Sequence, residues 1–203
     1  MNFRSLSSKH IVFLIIVAVL FFAWGAWLTK PAAPASALKW LSGWQQQVLD
    51  PLAQDQLHLS ELAHQVSGDL WLQPRKDGAR LLFRGSFEES GQPWAVEGDV
   101  QMDAAEMSSL MAAAGLTLQD DEQPLSAQML APLGKHRISA ITVLAPKDIA
   151  PERLVSSIGQ PRLRLELPAG VAWVYPQQGL TAHILDDAVQ LIRIVPSKLL
   201  QQG

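Results

Sequence analysis

The spacing of apolar side chains changes several times along the 203 residues, and each change marks an expected element. The first stretch has no period: Ile11–Leu28 is 18 consecutive uncharged residues, apolar on all sides. At ~1.5 Å per residue, a helix of that length approaches the ~30 Å hydrocarbon layer of a bilayer, so the run is expected to span a membrane. Trp24 and Trp27 near its end, with Lys30 closing it, are expected membrane-interface anchors. Beyond it the period becomes helical. Leu38, Leu41, Trp44, Val48 and Leu52 recur every three or four residues, which predicts a helix over about 37–50, capped by Ser36 and stopped by Pro51. Trp40 and Trp44, one turn apart, would share a face, either packed on the body or offered to a partner.

A second helix is predicted over about 59–66, ending before Gly68, and then the period falls to two. Leu70 and Leu72 alternate with Trp71, and Leu81, Phe83 and Phe87 recur at even spacing after an Arg75–Gly78 turn. The cleanest strand follows: Trp94, Val96, Val100 and Met102 face one way, with Gly98 in the same row, against Glu97, Asp99 and Gln101. This alternation predicts a half-buried antiparallel meander. Asp103 and Glu106 form a capping box for a helix over 104–114 that Gly115 ends. Its stripe of Met107, Leu110, Met111 and Ala114 is expected to lie on the sheet. Residues 119–136 carry no period. Ile138–Leu144, apolar on both faces, predicts a central strand, and a short helix over 151–158 precedes strands at about 162–167, 171–175, 180–185 and 188–195.

Composition changes this picture in two ways. Hydrophobic residues make up 48 %, but 17 of them sit in Ile11–Leu28, and the remainder is ordinary for a globular body. Residues 31–203 hold 13 basic and 19 acidic side chains, a net charge of −6, which argues against nucleic acid as a partner because that affinity comes mainly from clustered Lys and Arg. Arg4 and Lys9 before the apolar run favour a cytoplasmic N-terminus, with the body translocated. The expected location is the inner membrane, single-pass, with a periplasmic C-terminal domain. The alternative is a signal peptide cleaved near Ala35-Ser36-Ala37, leaving a soluble periplasmic protein. The sequence has no cysteine, which excludes disulfides, thiolate metal sites, a cysteine nucleophile and an acylated cysteine anchor.

The sequence carries few groupings that point to chemistry. His58, Glu61 and His64 sit three apart, yet on one helix the two histidines would point about 120° apart, unlike the four-residue spacing of zinc-binding helices. No nucleophile elbow or phosphate-binding glycine loop occurs, and Ser86 falls mid-strand. Glu88-Glu89, Asp186-Asp187 and Asp120-Asp121-Glu122 read as turns or solvated loops, and His183 as a strand histidine. No enzyme activity, cofactor or metal is expected.

One stretch resembles a known family. Pro151-Glu-Arg-Leu-Val-Ser-Ser-Ile-Gly159-Gln-Pro161, a strand, Trp173-Val-Tyr175-Pro176 and Gly179-Leu180-Thr181 before a last strand together resemble the SmpA/OmlA small outer-membrane lipoproteins and the related β-lactamase-inhibitor-like fold, over about 50 residues. The resemblance implies an α+β module that binds proteins of the bacterial envelope without catalysis. The chain departs from the family in lacking a lipidated cysteine and in its length, for which two tandem units are one reading.

The expected fold is α+β: an N-terminal transmembrane helix, then an antiparallel-sheet body with short helices packed on one face. The expected organisation is a tail at 1–10, an anchor at 11–28, a Pro/Ala linker at 29–37 and an exported domain at 38–203, with subunits at 55–118 and 137–196. The expected function is a non-enzymatic assembly factor of the cell envelope, with membrane lipid meeting Ile11–Leu28. Trp40, Trp44, Arg162, Arg164 and Glu166 are its expected contacts with an envelope protein. The alternative is an accessory subunit of a secretion or transport complex that is contacted through the anchor helix itself.

Overall fold

A computed structural model describes residues 8–28 and 35–201. Helix α1 covers Ser8–Leu28. Its described side chains lie between Val12 and Gly25. Among the described residues no helix is long and apolar enough to cross a membrane. The expected transmembrane anchor and single-pass arrangement are corrected accordingly. Lys30 and the linker residues 29–34 lie outside the described residues, as does the side chain of Trp27.

Residues 35–201 form one compact unit, built on a single antiparallel sheet. A helical segment runs through α2 (Lys39–Trp44), a π-helical turn (Gln45–Leu49) and α3 (Asp50–Ala53), and α4 (Leu59–Gln65) follows. Strands β1 (Ser67–Gln73), β2 (Arg80–Glu89) and β3 (Gln92–Val100) make the first meander. Helix α5 (Ala104–Ala114), the two-residue strand β4 (Gln123–Pro124) and α6 (Leu130–Leu133) lead into β5 (Ile138–Leu144). Helix α7 (Glu152–Ile158) precedes β6 (Leu163–Glu166), β7 (Val171–Tyr175), β8 (Leu180–Leu185) and β9 (Ala188–Ile194), and α8 (Ser197–Gln201) ends the described chain.

The strand order is β4-β1-β2-β3-β5-β9-β8-β7-β6. The expected α+β body of sheets under helices is therefore corrected to one nine-stranded sheet with few and short helices. The two meanders merge because β5 pairs on one side with β3 and on the other with β9, Val143 standing between Val96 and Ile192. That is why Ile138–Leu144 is apolar on both faces. Tight hairpins hold the order: Ser90-Gly91 and Asp186-Asp187 take positive φ at both positions, the handedness that matches strand twist in a two-residue turn.

One face of the sheet is buried by the N-terminal helical segment, where the sequence pattern pointed to the helices at 104–114 and 151–158. Leu38, Leu41, Val48, Leu52 and Leu62 join Phe83, Trp94, Val96, Ile141 and Ile192 in one core. Of α5 only Met111 is buried, and of α7 only Leu154. Gly98 lets the layers approach, since a Cβ there would lie 2.9 Å from Leu62 Cδ2. Pro51 does not end the helical segment. Asp50 N–H donates to Gln45 O, five residues back, and this widened turn carries the chain past a residue that cannot donate.

Nor does Ser36 cap that segment. Its first N–H groups meet the carboxylate of Glu89 at the end of β2, Lys39 N at 3.2 Å and Trp40 N at 2.9 Å. Arg153 of α7 donates to the same carboxylate at 3.1 Å and to Ser36 O at 3.0 Å. Ser157 Oγ accepts from Leu38 N at 2.7 Å. Glu89, which reads as a turn residue in the sequence, is thus a buried ion-pair partner joining β2, α2 and α7. Removing one partner of such a pair strands the other charge, so Glu89→Ala should cost about 3 kcal/mol in urea unfolding. The exposed neighbour substitution Glu88→Ala should cost less than about 1 kcal/mol. Equal effects at the two positions would show that the tie does not support the fold.

Candidate functional site

Two surfaces of the body carry organised side chains. The first is a groove of about 620 Å³ along α5, lined by Met102, Met107, Met111, Leu116 and Leu118 with Ala79 opposite. The local sequence builds it. Asp103 Oδ1 accepts from Glu106 N at 2.7 Å to start the helix, and Gly115, at φ 69°, turns the chain back. Thr117 then donates from N and Oγ1 to Asp120 Oδ2 at 2.6 and 2.8 Å, which holds that carboxyl below its ordinary value. The result is a short loop whose Leu116 and Leu118 face back over the helix stripe. Of the stripe expected to lie on the sheet, Met107 and Leu110 are half-buried against the core, Met111 is buried and Ala114 is exposed, and Met107 and Met111 also line the groove. A volume of this size lies in the range of ligand pockets, and unbranched, polarisable methionines adapt to apolar surfaces of varied shape.

The second surface is the sheet face opposite the core. Arg84 binds Glu97 at 2.8 Å and Glu122 at 2.6 Å, with its guanidinium carbon 5.4 Å from the Trp71 ring centre. Arg80 pairs with Asp99, which also meets Arg193 at 3.6 Å. Hydrogen bonds from Arg84, with Gln73 adding, hold the Glu122 carboxyl below the ordinary carboxylate range, and the bonds to Glu122 and Glu97 hold Arg84 well above its own. The charges on this face pair with one another across β2, β3 and β9, with Glu122 beside β4 joining them.

The expected contact residues separate into two groups. Trp40 and Trp44 are in the core: their ring centres are 5.1 Å apart, and Phe87 lies 5.6 Å from the first and 4.9 Å from the second. Such close offset and edge-on ring packing accounts for both tryptophans and leaves neither to a partner. Arg162, just before β6, and Arg164 and Glu166 on it are all exposed. Arg164 lies over the Trp173 ring at 4.5 Å. Trp24 is 60 % exposed on α1.

The histidine cluster has a local role. His58 precedes α4 in extended conformation, and its N–H donates to Glu61 Oε2 at 2.8 Å, half of a capping box. The His58–Glu61–His64 spacing therefore does not place all three on one helix. Among the described residues no group of three His, Cys, Asp or Glu side chains could hold a metal ion. Leu116 and Leu118 fall between the expected helix end at Gly115 and the stretch without period at 119–136, so no expected element places them beside the methionines. Met102, Met107 and Met111 were the groove's only sequence signal.

Tyr175 is buried, its hydroxyl has no hydrogen-bond partner, and burial pushes its phenol up to about 12, with nearby Arg164 opposing. No family model, characterised protein or solved structure matches the chain.

Because the folded protein holds the Tyr175 proton more tightly than the unfolded chain, this group's contribution to stability is intact below pH 10 and is lost as pH rises towards 12. Tyr175→Phe should flatten the alkaline limb of a thermal-unfolding profile. It should leave neutral-pH stability unchanged or raised, since it deletes a buried unpaired hydroxyl. A loss of more than about 1 kcal/mol at neutral pH would show that the hydroxyl has a stabilising partner.

Proposed function

We propose that this chain is a non-enzymatic protein-interaction or assembly module of the bacterial cell envelope, and that its methionine groove takes an apolar segment of a partner protein. The groove along α5 carries the reading. It is lined by Met102, Met107, Met111, Leu116 and Leu118, with Asp103, Ser108 and Thr117 as its polar lining. Grooves of this kind accept the apolar face of a peptide by burial, while the rim sets its orientation. Here the rim is acidic, with Asp103 lining the groove and Asp120 and Asp121 just beyond Leu118, so the preferred segment pairs apolar residues with flanking Lys or Arg. The envelope setting is supported by the apolar Ile11–Leu28 run behind Arg4 and Lys9, and by the resemblance of residues 151–196 to small envelope lipoproteins.

A second reading is favoured by α1, where Phe13, Phe22 and Trp24 are 64, 80 and 60 % exposed. An apolar surface of that extent must be covered, and in this reading a helix of a secretion or transport complex covers it.

A photo-crosslinking amino acid at Ala112, an exposed residue lining the groove, should yield a discrete adduct in intact cells. The same group at exposed Ala95, on the far side of the sheet, should not. Met107→Glu should abolish the adduct while the circular dichroism spectrum is retained. Absence of an adduct at Ala112, or equal adducts at both positions, would overturn the groove reading. Replacing Ile11–Leu28 with an unrelated apolar helix separates the two readings: an adduct at Ala112 that persists supports the groove, and one that disappears supports contact through the helix.

A further inference from the structure

The two edges of the sheet are finished differently. At one end β4 is only two residues long and ends in Pro124, which cannot donate a hydrogen bond outward. A short, proline-bearing edge of this kind resists pairing with another strand. At the other end all four residues of β6 are exposed, none is lysine or proline, and Leu163 and Leu165 are 50 and 49 % exposed. This is the open edge of the sheet.

Its hydrogen-bonding parity follows from the pairing with β7. Leu167 N–H donates to Gly170 O at 3.0 Å, in step with the register Leu165↔Ala172 and Leu163↔Val174. Alternation along an antiparallel strand then turns the N–H and C=O groups of Leu163, Leu165 and Leu167 towards β7, and those of Arg164 and Glu166 away from it. At the N-terminal side the ladder closes on itself, because Arg162 N–H also donates to Val174 O. Arg164 and Glu166 thus carry the free backbone groups, and they are also the charged residues of the strand.

We propose that β6 pairs antiparallel with β6 of a second copy of this chain about a two-fold axis at Leu165, so that each Arg164 stands opposite Glu166 of the other copy. In that register Arg164 and Glu166 exchange both backbone hydrogen bonds, twice by symmetry, and each pair adds a cross-strand contact of opposite charges. On the other face Leu165 meets Leu165, and Leu163 meets Leu167, so a leucine row continues from one sheet into the next. Moving the axis by one residue either way sets Arg164 against Arg164 or Glu166 against Glu166, and like charges directly opposite are unfavourable. Charge therefore selects one register, and a second copy is the occupant that supplies it. A strand of four residues buries little area, so the dimer is weak and depends on concentration. The proposal rests on the strand edge and stands whether or not the groove takes a partner.

The chain has no cysteine, so single cysteines report the register without background. In purified full-length protein, mild oxidation of Leu165→Cys should give a covalent dimer. Leu163→Cys alone should not, because its two copies lie four positions out of register, about 13 Å along the strands. An equimolar mixture of Leu163→Cys and Leu167→Cys chains should cross-link. By sedimentation, Arg164→Glu and Glu166→Arg should each weaken dimerisation about tenfold, and the double exchange should restore it. The proposal is overturned if Leu165→Cys cross-links no more than Leu144→Cys, which is 48 % exposed on a strand away from the edge. It is equally overturned if Leu163→Cys alone matches Leu165→Cys, or if the double exchange fails to restore the dimer.

Discussion

The carboxylate of Glu89 is the tie on which the layer above the sheet depends. A helical segment laid over a sheet by apolar burial alone can slide, because burial has no direction. Glu89 supplies the direction. It receives the first N–H groups of α2 and the guanidinium of Arg153, and Arg153 in turn holds Ser36 O. A buried charge is costly unless its partners have good geometry, and here three donors on two elements provide it. The aromatic cluster of Trp40, Trp44, Phe87 and Trp94 then packs beside a fixed point, with Phe87 two residues before Glu89 on the same strand.

That tie also decides which surfaces are free. With the N-terminal segment over the central strands, α5 packs at the margin of the core through Met107, Leu110 and Met111, and Met107 and Met111 also line the groove beside Leu116 and Leu118. The opposite face closes on itself through ion pairs centred on Arg84 and Asp99. What remains open is the groove, where apolar side chains lack a cover, and the β6 edge, where backbone groups lack a strand.

Much of the fold was legible. The strands after Gly159 fall within one or two residues of the positions expected from alternation, and the Asp103/Glu106 capping box and Gly115 end α5 as their chemistry requires. These are local matters, set by neighbours a few residues away. The single sheet was not legible, because β5 joins β3 to β9 across about 50 residues and apolar alternation names no partner. The role of Glu89 was hidden for the same reason: its donors lie 49, 50 and 64 residues away. Of the site, Arg164 and Glu166 were visible as a polar row, whereas the burial of Trp40 and Trp44 depended on Phe87 and Trp94 arriving from another element.

By itself, then, the sequence determined the apolar run, the acidic and cysteine-free body, the turns, and the alternation that makes strands, since each depends on side-chain chemistry and short-range backbone geometry. Only the tertiary structure decided which helical segment covers the sheet, which carboxylate is buried and which edge stays open. Those outcomes follow from competition between distant segments for one apolar face, and a face once covered is no longer available to the segments that would otherwise have packed on it.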